Sequence, residues 1–305
     1  MSACSGIGIF AGYKTLSLIR AGSGCASRAF VITNFEDASV GFMNLQGSVL
    51  EGEPTGVIAE DGAYFASGGN PDSKRAVIFL TDIFGLKLRN SKILADQFAQ
   101  HLKCDVWIPD LFAGHPPVTE AQMKSLPDRA GVKMGFFDIV KLIFVVLPSI
   151  PSLFISNRKS VVDGRTTSLV KKVKETKGYE KIGAIGYCFG GGVATRVGSS
   201  TTLFDSIVLV HPSAPTDAQL NAIKAPTAWA QPEDDMGIKP ARLEEIKALY
   251  EERKKKEDYE SEITVYKGCA HGFGARPNLT YPDVKEGFEK AFQQAVDWFN
   301  KTIPA

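Results

Sequence analysis

"GAIGYCFGGG", residues 183–192, sets an apolar run directly against a cluster of glycines, with Cys188 alone between them. The run reads as a strand buried on both faces, and the residues after Cys188 must begin a helix at once. A strand that becomes a helix within one residue strains that residue's backbone, and only small neighbours leave room for it. Gly186 and Gly190, two positions either side of Cys188, meet that demand; Gly191 and Gly192 let the helix approach the sheet closely. The free N–H groups and positive dipole end of the helix then face the sulfur and favour thiolate, the nucleophilic form. A packed core cysteine beside a Gly-rich turn is the plainer alternative.

Working outward, strand-like and helix-like stretches alternate from residue 76 onward. "AVIFLTD" (76–82), "CDVWIPD" (104–110), "KIGAIG" (181–186), "DSIVLVH" (205–211), "PTAWAQ" (226–231) and "SEITVYKG" (261–268) read as strands. Helical spacing marks 88–102, 168–178, the segment from Phe189, 240–257 and 283–301. This alternation predicts an α/β fold with one mostly parallel central sheet and helices on both faces. Reactive groups in such sheets gather beyond the carboxyl ends of the strands. The lysine-rich "EERKKKEDYE" (251–260) reads as a solvated helix face.

Composition narrows the partners. The 305 residues carry Lys+Arg 35 against Asp+Glu 34, a net charge of +1, with no basic stripe suited to nucleic acid. Five cysteines are odd in number and irregularly spaced, which argues against a disulfide framework and for a reducing, cytoplasmic compartment. None belongs to a CxxC or Cys/His cluster, so no structural metal is expected. Residues 1–35 lack Asp and Glu but hold Lys14, Arg20 and Arg28, a composition that also suits a mitochondrial presequence. The apolar stretch 136–155 contains Asp138, Lys141, Pro148 and Pro151, and its unbroken part is too short for a membrane span.

A thiol nucleophile needs a base, and the chain offers four histidines. His101 lies within a helical run, while His115 and His211 follow strands and could line a pocket. His271 lies in the glycine-flanked loop "HGFGARP" after the last strand, where a nucleophile-elbow hydrolase carries its histidine. The orienting carboxylate should follow the strand between them, where "WAQPEDDMGIKP" supplies Glu233, Asp234 and Asp235. An acidic turn capping the helix after Pro240 is a second use for those residues.

The elbow "GYCFGG", the strand end "LTDIFG", "PDLFAG" and the terminal "HGFGARP" together resemble the dienelactone hydrolase family, its fungal and other eukaryotic members in particular. The resemblance covers roughly residues 47–302 and leaves 1–45 as an N-terminal extension ahead of a hydrolase domain at 46–305. It implies an α/β-hydrolase fold, no cofactor, and a Cys188–Asp235–His271 triad that opens small lactones or carboxylic esters. Asp235 rather than Asp234 matches the family's pattern, counted from Pro232. The resemblance further implies an oxyanion hole from the N–H groups of Ile83 and Phe189. Asp82 stands where bacterial members carry a glutamate that helps generate thiolate, and is one methylene shorter. Arg276 matches an arginine that grips a substrate carboxylate. An apolar insertion at about 111–160 also fits, either as a cover for the pocket mouth or as a plain pair of core helices.

The implied partner is therefore a small, neutral or anionic substrate acted on by a monomer or homodimer. Class I amidotransferase-like thiol proteins share the elbow but follow the late histidine with a carboxylate two residues on, where this chain has Phe273. A redox-sensing or ligand-binding protein that keeps the elbow without turnover is the remaining alternative.

Overall fold

The computed structural model describes residues 49–119, 127–132 and 135–305, apart from 138–139, 141–142, 145–146, 150 and 152–154. The expected N-terminal extension lies outside the described residues. Eight strands among the described residues form one sheet: β1 (Val57–Ile58), β2 (Tyr64–Ala66), β3 (Arg75–Leu80), β4 (Asp105–Ile108), β5 (Lys181–Tyr187), β6 (Ser206–Val210), β7 (Thr227–Asp234) and β8 (Ser261–Ala270). Their order is β1-β2-β4-β3-β5-β6-β7-β8. The first two pair antiparallel, and β4 through β8 run parallel to one another. The alternation of elements predicts this mostly parallel sheet, and its α/β-hydrolase architecture is the one the family resemblance implies.

Side chains of the central strands alternate between two cores, as the pleat requires. Val77 and Phe79 of β3 join Ile185 and Val208 on one face, where α1 (Arg89–Leu102) and α6 (Pro282–Thr302) supply Leu94, Phe98, Val296 and Phe299. Ile78 and Leu80 point the other way, with Ile182, Ala184, Leu209 and Trp229. That face is covered by α2 (Lys159–Lys177), α3 (Phe189–Ser200) and α5 (Pro240–Lys256), through Val170, Val193, Val197, Ile246 and Tyr250. Helix α4 (Asp217–Ala222) is a short connector closed by a Thr216–Gln219 capping box.

Several expectations need correction. Helix α2 begins at Lys159 rather than near 168, because its first two turns bury only Val162 and Thr166 and carry little apolar signal. Helix α5 is not capped by the acidic turn: its N-cap is Lys239, without a side-chain cap. Its lysines are solvated and paired with Glu251 and Glu252, but Arg253 is buried and donates to the carbonyls of Leu220 and Ile223 while lying on the Tyr259 ring. Within 136–155 the described Phe136, Phe137, Ile143, Phe144, Leu147 and Ile155 are exposed, and the rest of the segment on which the cover and core-helix readings fall lies outside the described residues. Among the described residues no helix is long and apolar enough to cross a membrane.

The contact that positions the site is made through an absent side chain. A Cβ on Gly190 would lie 2.1 Å from the Leu80 carbonyl oxygen and 2.6 Å from that of Thr81. Only glycine lets the first turn of α3 rest on the end of β3. Gly190→Ala should therefore cost about 3 kcal/mol, at the upper end of overpacking penalties, because backbone must move. Gly164→Ala in α2, where a Cβ meets nothing within 4 Å, should be neutral or gain about 0.5 kcal/mol. Urea denaturation midpoints of the two variants check this ordering.

Candidate active site

Strand β5 ends at Tyr187 and α3 begins at Phe189, so Cys188 alone makes the turn. Its φ of 50° and ψ of −110° fall where non-glycine residues are rare, at a cost of roughly 1–3 kcal/mol. The turn is tied down on both sides. The Cys188 N–H donates to the Val210 carbonyl at 3.1 Å. Its carbonyl accepts from the N–H groups of Gly192 (3.3 Å) and Ser213 (2.9 Å) and from the Ser213 hydroxyl (3.2 Å).

The loop after β8 places the His271 imidazole against the sulfur, with Nε2 to Sγ at 3.1 Å. The other ring nitrogen, Nδ1, lies 2.8 Å from Oδ2 of Asp235. The remaining carboxylate oxygen accepts from the N–H groups of Gly237 (2.7 Å) and Ile238 (3.0 Å), so backbone alone aims Asp235. Its neighbours are engaged elsewhere: Asp234 accepts from the Gly131 N–H and Glu233 from the Gly268 N–H. The Asp235 side chain is fully buried and that of His271 is 17% exposed.

Charge follows this geometry. Burial pulls the His271 imidazole down, but the charge of the Cys188 sulfur and the Asp235 carboxylate outweigh it and push it up to about 10. Burial pushes the Asp235 carboxyl up, yet the hydrogen bond and charge of His271, with the two backbone N–H groups, hold it below the usual carboxylate range. The three side chains form a line in which the His271 imidazole can hold a proton toward the Asp235 carboxylate and move another at Nε2 toward the Cys188 sulfur.

The remaining predicted residues belong to the turn after β3, the start of α3 and the loop after β8. The N–H groups of Ile83 and Phe189 have no hydrogen-bond acceptor among the described residues. Asp82 is buried, and its carboxylate accepts from the Phe84 N–H at 3.0 Å, which shapes the turn carrying Ile83. The Arg276 guanidinium lies on the Phe84 ring, 4.6 Å from its centre. Its Nε is buried without a partner, and it makes no ion pair with the described residues. His101 lies on α1 against the edge of Phe292, and His115 is exposed beyond β4. His211 is fully buried behind His271, a placement hinted at only by its position after a strand. Among the described residues no group of three or more His, Cys, Asp or Glu side chains is arranged to hold a metal ion.

Comparison with known proteins gives a consistent relationship. The model of the dienelactone hydrolase family matches residues 62–303, which begins later than the start near 47 that the sequence suggests. A hydrolase of Aspergillus violaceofuscus, "Hydrolase pyvD", is 29% identical over 261 residues, covering 84% of this chain and 94% of that protein. The human "Carboxymethylenebutenolidase homolog" is 24% identical over 231 residues, or 75% of this chain and 83% of that one. The crystal structure of a dienelactone hydrolase-like promiscuous phosphotriesterase from metagenomic libraries superposes with a TM-score of 0.56 at 13% identity. It covers 79% of this chain and 92% of that one.

The raised imidazole and lowered carboxyl make stability depend on pH in a defined direction. The His271 contribution is full below its unfolded value of 6.5 and is lost as pH rises through about 10. The Asp235 contribution is full above 3.8 and is lost on acidification below that. The stability difference between wild type and His271→Gln should thus be largest near pH 5–6 and shrink steadily toward pH 10. Urea unfolding at pH 6, 8 and 10 measures it; a constant difference would contradict the assignment.

Proposed function

Because this chain belongs to the dienelactone hydrolase family, we propose that it hydrolyses small lactones or carboxylic esters through Cys188 as nucleophile, His271 as acid and base, and Asp235 as orienting carboxylate. One observation carries the reading: the continuous line Cys188 Sγ–His271 Nε2 at 3.1 Å and His271 Nδ1–Asp235 Oδ2 at 2.8 Å, starting from a strained residue at a helix N-terminus. The hydrolase names of the fungal and human relatives agree with the reaction class.

The steps follow from the geometry. The Cys188 thiolate attacks the carbonyl carbon, and the oxyanion that forms takes the N–H groups of Ile83 and Phe189, both of which lack another acceptor among the described residues. The tetrahedral adduct collapses to a thioester while the His271 imidazolium gives its Nε2 proton to the leaving alkoxide. In a lactone that alkoxide stays tethered to the acyl group. Neutral His271 then takes a proton from water, the resulting hydroxide attacks the thioester, and the thiolate leaves. The departing thiolate and the imidazolium, which keeps the proton taken from water at Nε2, restore the ion pair, and the carboxylic acid product gives its proton to solvent. Asp235 stays ionised throughout and stabilises the imidazolium.

Cys188→Ala should abolish turnover of a panel of small esters and lactones. His271→Ala and Asp235→Asn should each lower kcat by about 10³-fold or more, with little further loss on combination with Cys188→Ala. Asp234→Asn should be mild. Steady-state kinetics on the purified variants check the ranking; full activity in Cys188→Ala would leave a redox or ligand-binding role for the elbow.

Arg276 carries the substrate class within this reading. A guanidinium without a carboxylate partner among the described residues, seated on Phe84 beside the oxyanion turn, suits a substrate carboxylate held by two parallel hydrogen bonds. Lactones or esters bearing a free carboxylate should be preferred over their methyl esters. Arg276→Ala should cost the acidic substrate about 1.5–3 kcal/mol in kcat/KM and the neutral one much less. Equal losses for a matched acidic and neutral pair would show that Arg276 reads no charge.

A further inference from the structure

We infer that His211 is a positioning residue whose ring, packed behind His271, keeps that imidazole in line between Cys188 and Asp235. This rests on the reading of those three residues as the working unit and adds a fourth side chain that does not touch substrate.

The placement is unusual for a histidine. His211 has no exposed surface, and neither ring nitrogen finds a hydrogen-bond partner on another described residue. A buried polar ring left unsatisfied is costly and calls for a reason. Its ring centre lies 4.9 Å from that of His271, with the planes crossing at 62°. Tyr187 and Phe273 close the other sides at 5.9 and 5.8 Å. Gly274 borders the same slot: a Cβ there would lie 2.5 Å from Val210 Cγ1, 3.2 Å from Tyr187 Cε1 and 3.4 Å from His211 Nε2. His271 therefore cannot turn about its ring axis without displacing a side chain that is itself walled in.

The backbone explains why histidine suits the position. His211 has a φ of 37°, in the left-handed region where histidine is among the residues enriched over others. Its N–H donates to the Ala230 carbonyl at 2.9 Å, and the turn it starts delivers Ser213 to the Cys188 carbonyl. The same turn therefore braces the nucleophile through Ser213 and the base through the His211 ring.

The charged groups that act on this ring are His271, Asp235 and Arg276. Burial first, and then the charge of His271, hold His211 well below its ordinary value; Arg276 acts in the same sense and Asp235 opposes. The ring stays neutral while its neighbour is an imidazolium, so it walls the site without repelling the charge that the site needs.

The test pairs kinetics with the pH profile of Cys188 alkylation by iodoacetamide, read by peptide mapping on folded protein. His211→Ala should lower kcat by about 10²-fold with KM changed less than about threefold, the cost of a small misplacement. In the same variant Cys188 alkylation should slow at least about tenfold at pH 6.5, where the sulfur gives its proton to Nε2, and match wild type at pH 10, where hydroxide can take it. His211→Phe keeps a flat ring and should restore both readouts to within about threefold. If His211→Ala does not fold, His211→Leu, which fills volume without a flat ring, stands in under the same criteria. Wild-type kcat in the ringless variant, a wild-type alkylation profile despite lost activity, or failure of His211→Phe to rescue would each overturn the inference. The triad reading has its own control: in wild type at pH 6.5, Cys188 must be labelled faster than Cys104 and Cys269. Failure there sinks the triad, whereas fast labelling unchanged by the ringless variant sinks only the role of His211.

Discussion

Everything at this site depends on one residue holding a backbone conformation it would not choose. Cys188 sits at φ 50° and ψ −110°, and the surrounding fold over-determines it. Its N–H is held by Val210, its carbonyl by Gly192 and Ser213, and the helix it starts rests on bare β3 backbone through Gly190. The strand below runs in parallel register with both neighbours, Ile185 opposite Phe79 on one side and Val208 on the other. A buried, two-sided sheet is stiff enough to hold the strain, and the strain lifts the sulfur clear of the sheet toward the loops that carry its partners.

Those loops solve a second problem, which is to keep charge where water is scarce. One imidazole lies between the Cys188 sulfur and the Asp235 carboxylate, and Asp235 is fixed by backbone N–H groups instead of by mobile side chains. Burial alone would disfavour every charge in the line; the interactions among its members reverse that for both His271 and Asp235. The proposed chemistry then needs little rearrangement. The Cys188 sulfur, the His271 imidazole and two N–H groups without an acceptor among the described residues are in place before a substrate arrives, the form of preorganisation that the proposed chemistry would use.

Much of this was legible in the sequence because its signals are local. The glycines around Cys188, the continuous apolar runs of β3, β5 and β6, and the loop "HGFGARP" each announce a structure that only a few residue types can make. Signals spread over distance were fainter. Strands β1 and β2 are two and three residues long, too short for periodicity, and α4 is six residues. Arg253 looked like one more surface cation in a lysine-rich run, yet the α4 carbonyl it reaches, Leu220, lies 33 residues away. Glu233, Asp234 and Asp235 are alike in composition. What separates them is whether β7 has ended, which leaves the first two exposed on the strand and turns the third inward. His211 was visible only as a histidine after a strand, since its neighbours come from β5 and the loop after β8.

The central claim is that Cys188 carries the acyl group during turnover. A hindered activated ester, chosen so that thioester breakdown is slow, can be mixed with wild-type protein, quenched in acid within seconds and digested for mass spectrometry. The account predicts the acyl mass on the peptide that contains Cys188, released by neutral hydroxylamine as a thioester should be. Hydrolysis of the same ester with the acyl group found on a different residue would contradict it.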